Sequence, residues 1–357
     1  MAIVDAHVHC RDGKQSGKDT IGRASYHAGR NGVGLIMDMP NTNPALTSRE
    51  LVEDRLMLAR YTMSDGVSYG LHVGLTSDPA QIREAVECYN ELSLRDDGEV
   101  GVVGLKMFAG HSVGDLAIVD EDSQSRVYDE LAKCGYEGVL VVHCEKESLM
   151  VPALWNPRNP VSHSAARPSE AEMESIVDQV GIIYDSGFRG TLHVPHISTP
   201  EAVDYICEVR DNEVRNMKIT CGATPHHLFL NTGMQKDRGS DGLLWKVNPP
   251  LRGWWEQKGL LRRLKEGKID WIETDHANHE LGKKFGDPYM SGIPGVSSWP
   301  MVIKRLRKEK FSEERIDALT GGNVLAVYDL PKSVVGDANV DEDSGFKDYE
   351  YGYGDFI

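Results

Sequence analysis

Two histidines one residue apart, His7 and His9 in the stretch DAHVHCRDG at residues 5–13, are the first groups in the chain whose types and spacing can do chemistry. Side chains alternate between the two faces of a strand, so both imidazoles project to one side and can hold one ion, with Arg11 following on the same face. Similar groups recur far along the chain: Lys106 in the apolar run VGVVGLKMFAG, His143 in GVLVVHCE, His193 and His196 in GTLHVPHIS, and Asp275 and His279 in IDWIETDHANH. Imidazole nitrogen mixed with carboxylate oxygen is the donor set that zinc and similar divalent ions favour. Four histidines and an aspartate exceed the needs of one catalytic ion, which points to two ions, and two ions need a bridge. An ammonium inside so apolar a run must be paired, neutralised or chemically changed. If Lys106 reacted with carbon dioxide, the resulting carbamate would offer two oxygens to bridge the ions.

These residues need a scaffold that gathers distant strand ends. Short runs rich in Val, Ile and Leu recur at 2–10, 33–41, 67–76, 100–110, 138–145, 190–198, 217–227 and 269–279, the pattern of buried parallel strands. Between them lie segments such as SRELVEDRLMLARY and PEAVDYICEVRDNEV, with helical spacing of apolar residues and Ser, Pro or Asp near their starts. Eight strand–helix units imply an α/β fold, a closed (β/α)8 TIM barrel, whose active sites sit at the C-terminal ends of the strands. The candidate ligands stand at those ends. A single domain over residues 1–331 is expected. Beyond 332 the chain turns acidic, with Tyr349, Tyr351 and Tyr353 interleaved among acids, and 332–357 is expected to be a surface-lying or mobile tail.

Composition narrows the function classes. The 357 residues carry a formal net charge of -16, which disfavours nucleic acid and anionic membrane surfaces as partners. No apolar stretch approaches the ~20 residues needed to span a bilayer, and no signal peptide is expected, since the first residues lack its basic, apolar and small-residue regions. The six scattered cysteines, at 10, 88, 134, 144, 207 and 221, form no paired framework and are expected to be reduced, in the cytoplasm. A small-molecule substrate is the expected partner, and an anionic one would need a local positive site.

Taken in order, the motifs DAHVHCRD, MPNT, GLKMF, VVHCE, HVPHIST, ATPHHL, KVNPPLR and TDHANH resemble the cyclic amidohydrolases of the amidohydrolase superfamily, and within them the dihydroorotases, over roughly residues 3–330. The resemblance implies two zinc ions per chain: one held by His7, His9, Lys106 and Asp275, the other by Lys106, His143 and His196, with Lys106 as the bridging N6-carboxylysine. It implies Asp275 as both ligand and catalytic proton shuttle in the reversible closure of N-carbamoyl-L-aspartate to L-dihydroorotate, a step of pyrimidine biosynthesis. Arg11, Asn41 and His279 match the positions that hold the exocyclic carboxylate, while Asn248 and the backbone near Leu251 would meet the amide edge of the ring. His193, His226, His227 and His276 are expected to support the site without binding metal. Allantoinases and hydantoinases act on rings without that carboxylate and usually lack the arginine, so Arg11 separates the expected activity from theirs; a catalytically silent scaffold barrel is the alternative of another class. Many relatives carry an N-terminal segment that builds a small β-sandwich, and the chain is expected to be nearly a bare barrel, with a homodimer or a pyrimidine-pathway enzyme as its possible protein partner. Cys221 is followed by Gly222 where a glutamate is frequent, which argues against a further ion near that strand.

Overall fold

The computed structural model describes residues 3–93, 99–212, 217–338 and 349–353. Each apolar run forms a strand: β1 (Ile3–Val8), β2 (Val33–Asp38), β3 (Ser68–Gly74), β4 (Val102–Ala109), β5 (Val139–Cys144), β6 (Thr191–Val194), β7 (Lys218–Ala223) and β8 (Trp271–Ile272). They form one parallel sheet in chain order. A parallel bridge between Val8 and His276, with the His9 N–H donating to the His276 carbonyl at 2.9 Å, joins the last unit back to the first. The architecture is therefore an α/β, (β/α)8 barrel.

Helices at Ile21–Arg30, Arg49–Thr62, Pro79–Leu92, Glu121–Lys133, Ser169–Ser186, Pro200–Asp211, Trp254–Lys265 and Trp299–Lys308 follow the eight strands in turn. Local sequence starts them: the side chains of Thr20, Ser48 and Asp120 accept from the backbone N–H groups of Arg23, Leu51 and Ser123, and Pro79 and Pro200 occupy first turns. Inside the barrel, Val4, Ala6, Leu35, Met37, Val103, Val141 and Trp271 pack together with Val324 and Tyr328 from the C-terminal region. His72 Nε2 lies 3.1 Å from the Tyr328 hydroxyl. That plug fills the lower barrel and leaves the C-terminal mouth for polar groups.

Strand alternation alone does not place His7 and His9. Val4 and Ala6 belong to the interior cluster, yet His7 and His9 also face the cavity at the mouth. The pairing of β1 with β2 shifts register between Asp5 and Val8, and such an irregularity moves the inward face from even to odd positions. Two strands end earlier than their sequence runs. β6 stops at Val194 and β8 at Ile272, and a little beyond them His196 (φ 43) and Asp275 (φ 48) are left-handed, a conformation that cannot continue a ladder.

The acidic tail departs from expectation where it is described. Tyr349, Tyr351 and Tyr353 are buried, and residues 349–353 pack against the segments that follow β7 and β8. The Trp245 indole donates to the Gly352 carbonyl at 3.0 Å, and the His279 N–H donates to the Tyr351 hydroxyl at 2.9 Å. Burial of three aromatic rings outweighs the solvent preference of the neighbouring acids. The acids at 341–343, 348 and 355 lie outside the described residues.

Candidate active site

The mouth holds a small cavity lined by His7, His9, Arg11, Asn41, His143, His196, Asn248 and Asp275, together with Phe108, Ser112, Val113, Ala277, Ser291 and Gly292. Groups from six strand ends thus meet in one small volume. Arg11 (φ 63), His196 and Asp275 all carry positive φ, a strain that non-glycine residues keep only where the surroundings hold them.

One nitrogen of each N-terminal histidine points to the same oxygen. Asp275 Oδ1 lies 3.0 Å from His9 Nε2 and 3.5 Å from His7 Nε2, and ligand atoms of these three buried residues fall within 4.8 Å of one another. Asn41 Oδ1 lies 2.7 Å from His9 Nδ1, so Nδ1 carries the proton and Nε2 keeps its lone pair for an ion. Beside this trio, His143 Nδ1 and His196 Nε2 stand 3.3 Å apart. The rings of His7 and His196 are 5.2 Å apart, which makes the four imidazoles one continuous cluster.

Lys106 lies beneath them. Its side chain is fully buried, its Nζ has no hydrogen-bond partner among the described residues, and it sits 4.8 Å from the centre of the Phe108 ring. Burial lowers its pKa to about 8, against the pull of Glu273 and Asp275. Burial also lowers the pKa of His7 and His9 well below the ordinary imidazole value and raises that of Asp275 to about 7. Neutral imidazoles, an orphaned buried amine and a carboxylate form a donor set that fits divalent metal.

Two acids missed by the sequence reading organise this half. Glu145, the last letter of VVHCE, sits with Oε2 3.0 Å from His143 Nε2 and accepts from the Arg167 guanidinium. Burial pushes its pKa up, but Arg167 and His143 outweigh that and keep it ionised. Arg167 also donates to the His111 carbonyl at 2.7 Å, tying the loop after β4 to the same unit. Glu273 accepts from the His196 N–H at 2.9 Å and the Trp271 indole at 3.2 Å. A Cβ on Gly222 would fall 2.5 Å from its Oε1, so the glycine leaves room for this carboxylate. The available signal was a Glu two residues before Asp275.

The supporting histidines are held away from the ligand cluster. His193 stacks on Trp271 at 4.1 Å and bonds Thr220 Oγ1 at 3.0 Å. His226 meets the Tyr353 hydroxyl at 3.2 Å, and His227 Nε2 donates to the Pro249 carbonyl at 3.0 Å. His276 Nε2 lies 2.8 Å from Asp19 Oδ2.

In the other half, Arg11 Nη1 donates to the Asn41 carbonyl at 2.8 Å while its Nε has no partner among the described residues. Asn41 Nδ2 donates to the Val113 carbonyl at 2.7 Å. Asn248 Oδ1 lies 2.8 Å from His163 Nε2. The Leu251 side chain packs with Leu230, Trp245 and Ile293, the prediction there being for its backbone, and the His279 side chain stands behind the wall with Nε2 donating to the Ser291 carbonyl at 2.8 Å.

No family model matches the chain. It is similar to the dihydroorotase of Halobacterium salinarum, 32% identical over 337 residues covering 92% of this chain and 72% of that one. It is likewise similar to the dihydroorotase of Methanosarcina mazei, 31% identical over 92% of this chain and 70% of that one. Among solved structures, an L-hydantoinase from Arthrobacter aurescens shares the fold with a TM-score of 0.80 at 24% identity, over 94% of this chain and 74% of the other. A dihydroorotase from Saccharomyces cerevisiae in complex with 5-fluoroorotic acid shares it with a TM-score of 0.73 at 19% identity, over 94% and 85% of the two chains.

Proposed function

The chain belongs to the dihydroorotase family, and from that premise we propose that it interconverts N-carbamoyl-L-aspartate and L-dihydroorotate at the barrel mouth, in pyrimidine biosynthesis. The observation that carries the reading is the convergence, in one cavity, of a His7–His9–Asp275 ligand trio with the buried guanidinium of Arg11. The first suits cyclic amide chemistry, and the second suits a ring that bears a carboxylate.

His7, His9 and Asp275 would hold one divalent ion and His143 and His196 a second. Lys106 would bridge them once its neutral amine has added to carbon dioxide, forming an N–C bond and releasing a proton. Zinc is the favoured metal on donor type. When bound, the ions would polarise the carbonyl and bring the pKa of water near neutrality.

The protein's own groups then divide the remaining work. In the hydrolytic direction Asp275 accepts a proton from the attacking water and passes it to the leaving ring nitrogen. In the biosynthetic direction the same carboxylate returns it: the amide nitrogen attacks the side-chain carboxyl, a C–N bond forms, and water leaves. Arg11 meets the exocyclic carboxylate through Nε and the remaining terminal nitrogen, since Nη1 is held by Asn41. Asn41 orients both Arg11 and His9, and Asn248 faces the amide edge. Six free cysteines and the absence, among the described residues, of a helix long and apolar enough to cross a membrane are consistent with the cytoplasmic location we propose.

The test is turnover of L-dihydroorotate, N-carbamoyl-L-aspartate, allantoin and hydantoin by protein of known metal content. Turnover of only the first two with about two zinc ions per chain supports the reading. Preference for allantoin or hydantoin refutes the role given to Arg11.

A further inference from the structure

The stretch KVNPPLR places Lys246 two residues before Asn248, and nothing in the reaction above uses it. Its side chain is nevertheless 9% exposed. Nζ donates to Ser291 Oγ at 2.7 Å and lies 5.2 Å from the centre of the Trp155 ring. Lys284, fully buried, donates to the carbonyls of Gly292 at 2.8 Å and Lys246 at 3.3 Å. Among the described residues no carboxylate pairs with either amine; burial lowers the pKa of both, that of Lys246 to about 7, with Arg167 adding to the fall.

Two buried amines without acids, in a chain of net charge -16, are costly to fold unless their donors are satisfied. Lys284 is satisfied by two carbonyls, a structural arrangement. Lys246 has three donors and one protein acceptor, and that acceptor is on the cavity wall: Ser291 and Gly292 line the cavity, and the Ser291 carbonyl holds His279. Because the Ser291 oxygen accepts from Lys246, its own hydroxyl proton is free to donate into the cavity, polarised by the ammonium behind it.

The geometry points to Lys246 as a specificity-determining residue: acting through the Ser291 hydroxyl, it makes the side of the cavity beside His279 selective for a ring that carries an anionic group. The inference rests on the family activity and adds an unassigned cation to the recognition of the substrate carboxylate. Lys246 is a positioning residue here, since its ammonium reaches the substrate through Ser291.

The experiment uses two rings that are not turned over, orotate and its carboxamide orotamide, and measures their dissociation constants calorimetrically on zinc-loaded protein. In the wild type orotate binds the tighter. In Lys246→Met the preference for orotate falls on the order of tenfold while orotamide binding holds, as expected for loss of one partly screened charge. Ser291→Ala loses a similar factor, and the double variant loses no more than the larger single, because both act on one contact. Lys246→Arg restores the preference. Lys246→Gln keeps a donor for Ser291 without the charge, and it carries the same expectation as Lys246→Met if that variant does not fold. Unchanged preference in the neutral variants, losses that multiply in the double variant, or equal binding of the two rings by the wild type would overturn the inference. Failure of the wild type to turn over dihydroorotate would instead count against the family activity.

Discussion

Replacing Arg11 by Met isolates the recognition of the carboxylate from the rest of the chemistry. The guanidinium is 2% exposed, its Nη1 is committed to the Asn41 carbonyl, and its Nε has no partner among the described residues. A bound carboxylate therefore gains two charge-assisted hydrogen bonds, each contributing about 1.5–3 kcal/mol. The sum of about 3–6 kcal/mol corresponds to a loss of roughly 10² to 10⁴ in kcat/KM for dihydroorotate. Arg11→Lys keeps a point charge but cannot hold the Asn41 carbonyl and both carboxylate oxygens together, so it recovers only part of the loss. The assay compares dihydroorotate with dihydrouracil, the same ring without the carboxylate. The ratio of their kcat/KM values should collapse toward one in Arg11→Met, because only the charged substrate loses contacts. Equal losses for both rings, or an unchanged ratio, would show that Arg11 supports the mouth structurally and does not read the substrate.

Three further outcomes follow from the same geometry. Asn41→Ala removes the acceptor 2.7 Å from His9 Nδ1, and zinc affinity measured by chelator competition should fall about 10- to 100-fold; unaltered affinity would mean that Asn41 does not fix the His9 tautomer. Tyr351→Phe removes the oxygen that accepts the His279 N–H and leaves a buried donor unpaired, so denaturant titration should show a loss of about 1–3 kcal/mol, with a raised KM for dihydroorotate. Glu172, fully buried against Ser198, has its pKa raised to about 7 by burial. The folded state binds its proton more tightly than the unfolded chain, so this group costs nothing below about pH 4.5 and destabilises increasingly as pH rises toward 7. Glu172→Gln should therefore flatten the stability profile over that range, gaining on the order of 3 kcal/mol at pH 8, and parallel profiles for variant and wild type would contradict the assignment.

The barrel was legible because its strands are buried on both sides and read as continuous apolar runs. The polar residues at their ends stood out against that background: an imidazole after VLVV or a lysine inside VGVVGLKMF has no reason of its own to be there. Less legible was which face each residue takes. The register shift in β1 and the left-handed turns at Arg11, His196 and Asp275 depend on neighbours far along the chain. Glu145 and Glu273 escaped notice because acids near strand ends are common, and only folding brings their partners Arg167 and His196 to them. His279 was placed on the cavity by resemblance, and its side chain stands behind it, bonded to the Ser291 carbonyl. The tyrosines of the tail carried a signal, three rings at alternate positions, but the surrounding acids masked it.

Asp275 belongs to a rail whose two sides do different work. Its even-numbered residues are anchors: Thr274 donates through N–H and hydroxyl to Asp5 at 3.0 and 2.6 Å, His276 meets Asp19 at 2.8 Å, and Asn278 donates to the Lys18 carbonyl at 2.5 Å. His276 Nδ1 also accepts the N–H groups of Gly295 and Val296. The odd-numbered residues face the chemistry, with Asp275 and Ala277 on the cavity and His279 bracing Ser291. After β8 ends at Ile272, isolated backbone bridges at His276 and Ala277 hold this segment, and the side-chain hydrogen bonds add to its positioning. In the proposed reaction Asp275 carries the proton and Ala277 and Ser291 border the carboxylate side, so one displaced anchor must disturb both. Loss of an anchor therefore lowers kcat and raises KM together, whereas loss of Arg11 or Lys246 changes which ring is preferred. That difference in kinetic signature distinguishes the residues that hold the rail from those that read the substrate.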